Sequence, residues 1–166
     1  MEERFYLREA RIEEAGLLAE IEQICFPPHE ACAPERVKER VELAPELFLV
    51  AEDRHTGKIA GFFNGIATDD VSFRDDFFLN ISLHKTSGKH VMLLGLDVLP
   101  EYRGLGLART IVNRYIQREQ ANNRKSLILT CLDEKVSMYE KMGFVDHGYA
   151  DSTWGNEQWH EMEIML

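Results

Sequence analysis

At 166 residues the chain suits one domain, and 45% hydrophobic with 29% charged residues fits a packed globular core, not a disordered or fibrous chain. The net charge of -10 excludes nucleic acid and acidic membrane surfaces as natural partners, since both are held by clustered Lys and Arg; it serves solubility alone or suits a cationic small molecule. Cys25, Cys32 and Cys131 follow no metal-ligand spacing, the N-terminus shows no leader pattern, and the longest apolar run is too short to span a bilayer; a reduced cytoplasmic protein without a metal is expected.

Residues 4–10 (RFYLREA) alternate as a first strand. A helix follows over 11–25, with Leu17, Leu18, Ile21, Ile24 and Cys25 on its apolar face and acidic residues opposite. Prolines break it in FPPHEACAP, and Pro34 opens a second helix over 34–43. ELFLVAED and KIAGFFNGIAT, joined by a turn at 55–57, read as a hairpin. Residues 69–90 are polar and weakly periodic, an irregular excursion. HVMLLGLDV, 90–98, is a continuous apolar run and reads as a central strand buried on both faces. Leu107, Ile111, Tyr115 and Ile116 give the next helix its face. SLILTCL is a strand, and EKVSMYEKMG is a short helix closed by Gly143. The remainder reads as a hairpin turning at Gly155-Asn156. The class is α/β (α+β): a single domain, 1–166, with a central mixed, mostly antiparallel sheet and helices on both faces.

LPEYRGLGLART, 99–110, carries the chemistry. It lacks the Lys-Ser/Thr pair of a nucleoside-triphosphate loop. It also lacks the third small residue of a dinucleotide fingerprint, and Pro100 to Arg103 separate it from the strand. What remains is R-x-x-G-x-A, at Arg103, Gly106 and Ala108. Small residues before a helix let successive amides and the helix dipole meet a diphosphate, with Arg103 adding a full charge. Taken alone, the pattern fits a tight turn as well.

LDVLPEYRGLGLARTIV resembles the acetyl-coenzyme A pyrophosphate loop of the GNAT superfamily of N-acetyltransferases, and MYEKMGF resembles that superfamily's terminal Tyr-x-x-x-Gly-Phe signature. LAPELFL, SLHKTSG, CLDEKVSMY and GNEQWHEM are similar, in order, to segments of the arylalkylamine N-acetyltransferase branch. The resemblance implies the acyl-CoA N-acyltransferase fold, acetyl-CoA as cofactor, and acetyl transfer to a primary amine. The amine would be an arylalkylamine or polyamine, and the enzyme a monomer or homodimer.

It also implies residue roles. Arg103, Gly104, Leu105, Gly106, Leu107 and Ala108 would cradle the diphosphate, and backbone groups of Leu96, Asp97 and Val98 would pair with the pantetheine arm. Tyr139 would lie near the coenzyme sulfur as general acid, although its helix also offers it plain packing beside Val136 and Met142. The branch's His-x-His base falls on Met92 and Leu94, which accept no proton. Either a water chain serves, or the amine arrives partly neutral, or the base lies elsewhere; Glu30 and His29, in the Pro-flanked loop that borders the acceptor site in this superfamily, are then its first candidates, with His90 and His160 as others. Trp159 falls where the branch sets an aromatic against the substrate ring, with His160 beside it, but a core tryptophan would satisfy the same position. Acetylation of a peptide N-terminus, or coenzyme binding without catalysis, are the competing functions.

Overall fold

The computed structural model describes residues 3–166. Seven strands form one sheet in the order β1-β2-β3-β4-β5-β7-β6. They span Phe5–Glu9 (β1), Phe48–Asp53 (β2), Ile59–Thr68 (β3), His90–Val98 (β4), Ser126–Cys131 (β5), Val145–Tyr149 (β6) and His160–Met165 (β7). Every neighbouring pair is antiparallel except β4 and β5, so the sheet is mixed and mostly antiparallel, as expected. Helices α1 (Ala15–Cys25), α2 (Pro34–Leu43) and α3 (Asp76–Leu79) cover one face, and α4 (Leu107–Ala121) and α5 (Asp133–Lys141) the other. No helix among the described residues is long and apolar enough to cross a membrane.

The central strand is the hinge of this arrangement. Val91 and Leu93 pack into the α4/α5 core, whereas Met92 and Leu94 pack into the α1/α2 core. That alternation explains the unbroken apolar run: a strand covered on both faces has no solvent side to make polar. β4 pairs with β5 at Val91↔Leu127 and Met92↔Ile128, and no further. The β3 register slips between Asn64 and Gly65, which leaves Leu94 as an extra residue on β4. A bulge bends its strand and increases the twist. Beyond it, β4 and β5 separate into a wedge.

Two expectations need correction. The buried stripe of α1 is Leu18, Ala19, Ile21 and Glu22, whereas Leu17 and Ile24 are 47% and 59% exposed. At about 100° per residue, Leu17 lies a quarter-turn away from Leu18, and packing against β4 selects the stripe that includes Glu22. The C-terminal hairpin does not turn tightly at Gly155-Asn156. β6 and β7 close at Tyr149↔His160, and a ten-residue connection with a 3-10 turn at Trp154–Asn156 lies between them. Two indoles hold that connection down. Trp154 donates to Glu30 O at 2.8 Å and Trp159 to Trp154 O at 2.8 Å.

Candidate active site

The wedge opens into a cavity of about 450 Å³, walled by β4, β5, α5, the C-terminal end of α1 and the two tryptophans. That volume suits a small-molecule site. Leu96 and Val98 line it from β4, and Arg103 and Ala108 line it where the glycine-rich loop meets α4.

The loop is set by what precedes it. Leu99 N donates to Ala60 O at 2.9 Å, and Tyr102, itself buried, donates its hydroxyl to Asp53 Oδ2 at 2.8 Å. Asp53 is buried too, and although burial opposes it, Arg4, Tyr102 and the His55 amide hold its carboxyl far below the usual range. The chain then turns through Gly104 at φ +77° and Gly106 at φ +79°, left-handed conformations that glycine adopts without penalty. α4 starts at Leu107, whose side chain is core, so its contribution to the site is its amide. Among the described residues, none of the amides of 104–109 donates to another backbone group, as befits a helix start. Arg103 folds back, with Nε donating to Val98 O at 2.9 Å, and lies beside Cys25. Only Arg103 and Ala108 of the loop line the cavity, and Gly104 to Leu107 do not; unpaired amides at a helix start beside a guanidinium are the donor set that a diphosphate fits. Leu105 is exposed on the outside of the turn.

Tyr139 lines the cavity from α5 and packs edge-on against Phe144, with ring centres 5.6 Å apart. Burial, then the neighbouring Cys131 and Asp97, push its phenol above the ordinary range, so it carries its proton throughout neutral pH. Cys25, Cys32 and Cys131 also line the cavity. Burial raises all three thiols, Cys131 to about 12, which keeps them protonated and poorly nucleophilic.

Glu30 lines the cavity, and burial, with Glu157 and Glu134 nearby, lifts its carboxyl despite the opposing His29. His29 stays outside, its side chain 49% exposed, 3.2 Å from Glu30 Oε2 and 3.3 Å from Glu157 Oε1. The ligand atoms of His29, Glu30 and Glu157 lie within 4.8 Å of one another, close enough to share a cation. Trp159 lines the cavity, and so does Trp154, stacked on Phe78 with centres 4.6 Å apart. Two other candidates face elsewhere. His160 does not line the cavity; it lies between Asp146, at 3.0 Å, and Asp133, under the ring of Tyr149. His90 sits at the far end of β4, 2.6 Å from Ser126 Oγ.

Asp97 departs most from expectation. Its backbone belongs to the wedge strand, but its side chain turns to the α1 face and is fully buried. A Cβ at Gly95 would stand 3.1 Å from Asp97 Oδ1, 3.3 Å from Asn64 Nδ2 and 3.4 Å from Glu22 Oε1, so three polar side chains converge there. Glu22, 2% exposed, was not among the sequence candidates. Its signal was an acidic residue one turn before Cys25 on the buried stripe.

The model of the Acetyltransferase (GNAT) family matches residues 16–144. No curated protein matches the sequence. Among solved structures, the loading GNATL domain of CurA from Lyngbya majuscula is 18% identical, with 97% of each chain covered and a TM-score of 0.82. The GphF GNAT-like decarboxylase, solved with isobutyryl-CoA, is 17% identical over 96% of this chain and 98% of its own, with a TM-score of 0.79. YncA from Salmonella typhimurium, solved with its cofactor acetyl-CoA, is 17% identical over 98% of this chain and 94% of its own, with a TM-score of 0.66. At these identities the likeness is one of fold.

Proposed function

From the premise that the chain belongs to the acetyltransferase (GNAT) family and uses acetyl-coenzyme A, we propose that it acetylates a small primary amine, an arylalkylamine or polyamine, by direct attack in a ternary complex. One observation carries this reading. A single cavity runs from Arg103 and Ala108, at the two ends of the glycine-rich loop, past Tyr139 to two indoles in an acidic protein.

Acetyl-CoA supplies an activated acyl carbon. The chain's own residues do the rest. The cradle amides and Arg103 fix the diphosphate, and the free edge of β4 at Leu96 to Val98 aligns the arm toward Tyr139. Tyr139, held protonated, donates to the leaving thiolate. The three protonated thiols disfavour an acyl-enzyme and support direct transfer. Trp154 and Trp159 offer ring faces to an aromatic or an ammonium. Glu30 at the wall, next to His29, draws a cation inward.

The two indoles that narrow the acceptor end of the cavity favour a small acceptor over a peptide. Thiol release from acetyl-CoA, compared between a panel of arylalkylamines and polyamines and a panel of peptide N-termini, tests the reading. Release with the small amines supports it, and release with peptides alone overturns it.

A further inference from the structure

The amine-acetylation reading leaves one matter open: how an ammonium loses its proton where Met92 and Leu94 replace a basic pair. We propose that Glu22 and Asp97 form the proton-accepting seat for the acceptor ammonium, with Glu22 touching the amine and Asp97 acting through Glu22 as a positioning residue. This inference rests on that reading for the identity of the ligand.

The geometry is specific. Glu22 lines the cavity from α1, Asp97 backs it from β4, and both carboxyls converge on Gly95. Glu22 Oε2 accepts the Cys32 amide at 3.0 Å. Glu22 Oε1 and both Asp97 oxygens have no hydrogen-bond partner. Buried carboxylate oxygens are almost always satisfied; within the protein these three are satisfied only by a proton shared between the two carboxyls, so the pair is a place for one proton or for a donor that arrives with the ligand.

Charge follows the same logic. The groups around the pair are Cys25 on α1, Cys32 after it, Asn64 on β3, Tyr139 on α5 and Arg40 on α2. Both thiols are held protonated by burial. Arg40, 2% exposed, donates to Asn64 Oδ1 at 3.2 Å and to Phe78 O at 2.9 Å. Arg40, reaching Asn64 and Cys32 beside the pair, is the buried cation that would offset one carboxylate. The second keeps a proton while the seat is empty, in line with the raised position of Asp97, which burial and then Glu22 produce. When R–NH3+ enters, that proton leaves to solvent, and two carboxylates face one guanidinium and one ammonium. One N–H proton then passes to Glu22 and leaves its electron pair on nitrogen, giving R–NH2 and a pair holding a single proton. Buried charge is balanced at every stage, and the net change is R–NH3+ bound as R–NH2 with one H+ released.

Calorimetric titration of phenethylamine into protein saturated with coenzyme A, at pH 7 in buffers of different ionisation enthalpy, counts that proton. The expected result is about one proton released per amine in the wild type and none in Glu22→Gln, with 2-phenylethanol, which lacks the ammonium, releasing none. In turnover with acetyl-CoA, Glu22→Gln should lose about 100-fold in kcat/KM at pH 7. The residual rate should climb about tenfold per pH unit as free amine accumulates. Asp97→Asn should flatten the wild-type pH profile and leave acetyl-CoA affinity unchanged. Glu20→Gln, exposed on the same helix, serves as the folding control. Equal proton release in wild type and Glu22→Gln, or kcat/KM within threefold, overturns the proposal. If coenzyme A fails to bind, the acetyltransferase reading fails instead, and titration of the free protein still decides the seat.

Discussion

Asp97→Asn should stabilise the protein, and by an amount that depends on pH. The Asp97 carboxyl is fully buried with both oxygens unpartnered, and burial together with Glu22 holds its native pKa well above the ordinary carboxylate range. A raised native pKa means that its contribution is fully present below the unfolded value, about 3.9, and is lost as pH rises toward the native one. Across that interval the unfolded chain releases the proton and the native chain keeps it. Folding then weakens by about 1.4 kcal/mol per pH unit from this group alone. Asparagine has nearly the same shape and does not titrate, so the variant lacks that slope. For a domain of this size 1 kcal/mol moves Tm by about 2–4 °C, and the gap between variant and wild type should widen by about 3–6 °C per pH unit above pH 4 for as long as the native carboxyl keeps its proton. Thermal unfolding by circular dichroism at pH 4, 5, 6 and 7 reads this directly. A gap that stays constant, or a variant less stable throughout, would refute the reasoning.

Other expectations follow from the same geometry. Tyr139→Phe keeps the contact with Phe144, so acetyl-CoA affinity should hold while kcat falls about 100-fold or more. Because burial raises the Tyr139 phenol, the wild-type rate should show no limb from its ionisation below about pH 10. Gly106→Ala forces a side chain into a left-handed helix start and should cost about 1–2 kcal/mol, with weaker acetyl-CoA binding seen in the same calorimetry. His160 is raised by its hydrogen bond to Asp146, so its stabilisation is present below about pH 6.5 and fades as pH rises through the native value. Asp146 is lowered, chiefly by the Gly148 amide, and its share fades as pH falls below about 4. His160→Gln should therefore lower Tm most near pH 5–6, and a loss that is flat up to pH 9 would contradict the pairing.

The glycine turn before α4 and the place of Tyr139 at the cavity were legible because each is a local word: a few residues at fixed spacing on the first turn of one helix and the last turns of another. The apolar run of β4 was equally plain, since burial on both faces leaves a composition that no other placement explains. Glu22 was not. Reading Leu17 and Ile24 as core put Glu22 on the polar side of α1, and one helical step of rotation hid its place at the cavity. Asp97 stood out as a charge inside an apolar strand, yet which face it turned to depended on the bulge at Leu94, set by pairing with β3. Trp154 and Trp159 were read near a two-residue turn, whereas their indole N–H groups tie down a ten-residue connection through contacts 124 and 5 residues apart. Long-range pairing decided each of these, and a single sequence does not encode it in any short window.

The central claim is that the acetyl group moves from the coenzyme to an amine nitrogen in one cavity. Incubation with acetyl-CoA labelled in its acetyl carbons and a mixture of arylalkylamines and polyamines, followed by mass spectrometry of amines and protein, tests it most directly. The account predicts labelled N-acetylamine formed one-for-one with free coenzyme A, and no label on the protein. Coenzyme release without labelled amide, or label retained on a cysteine, would contradict it.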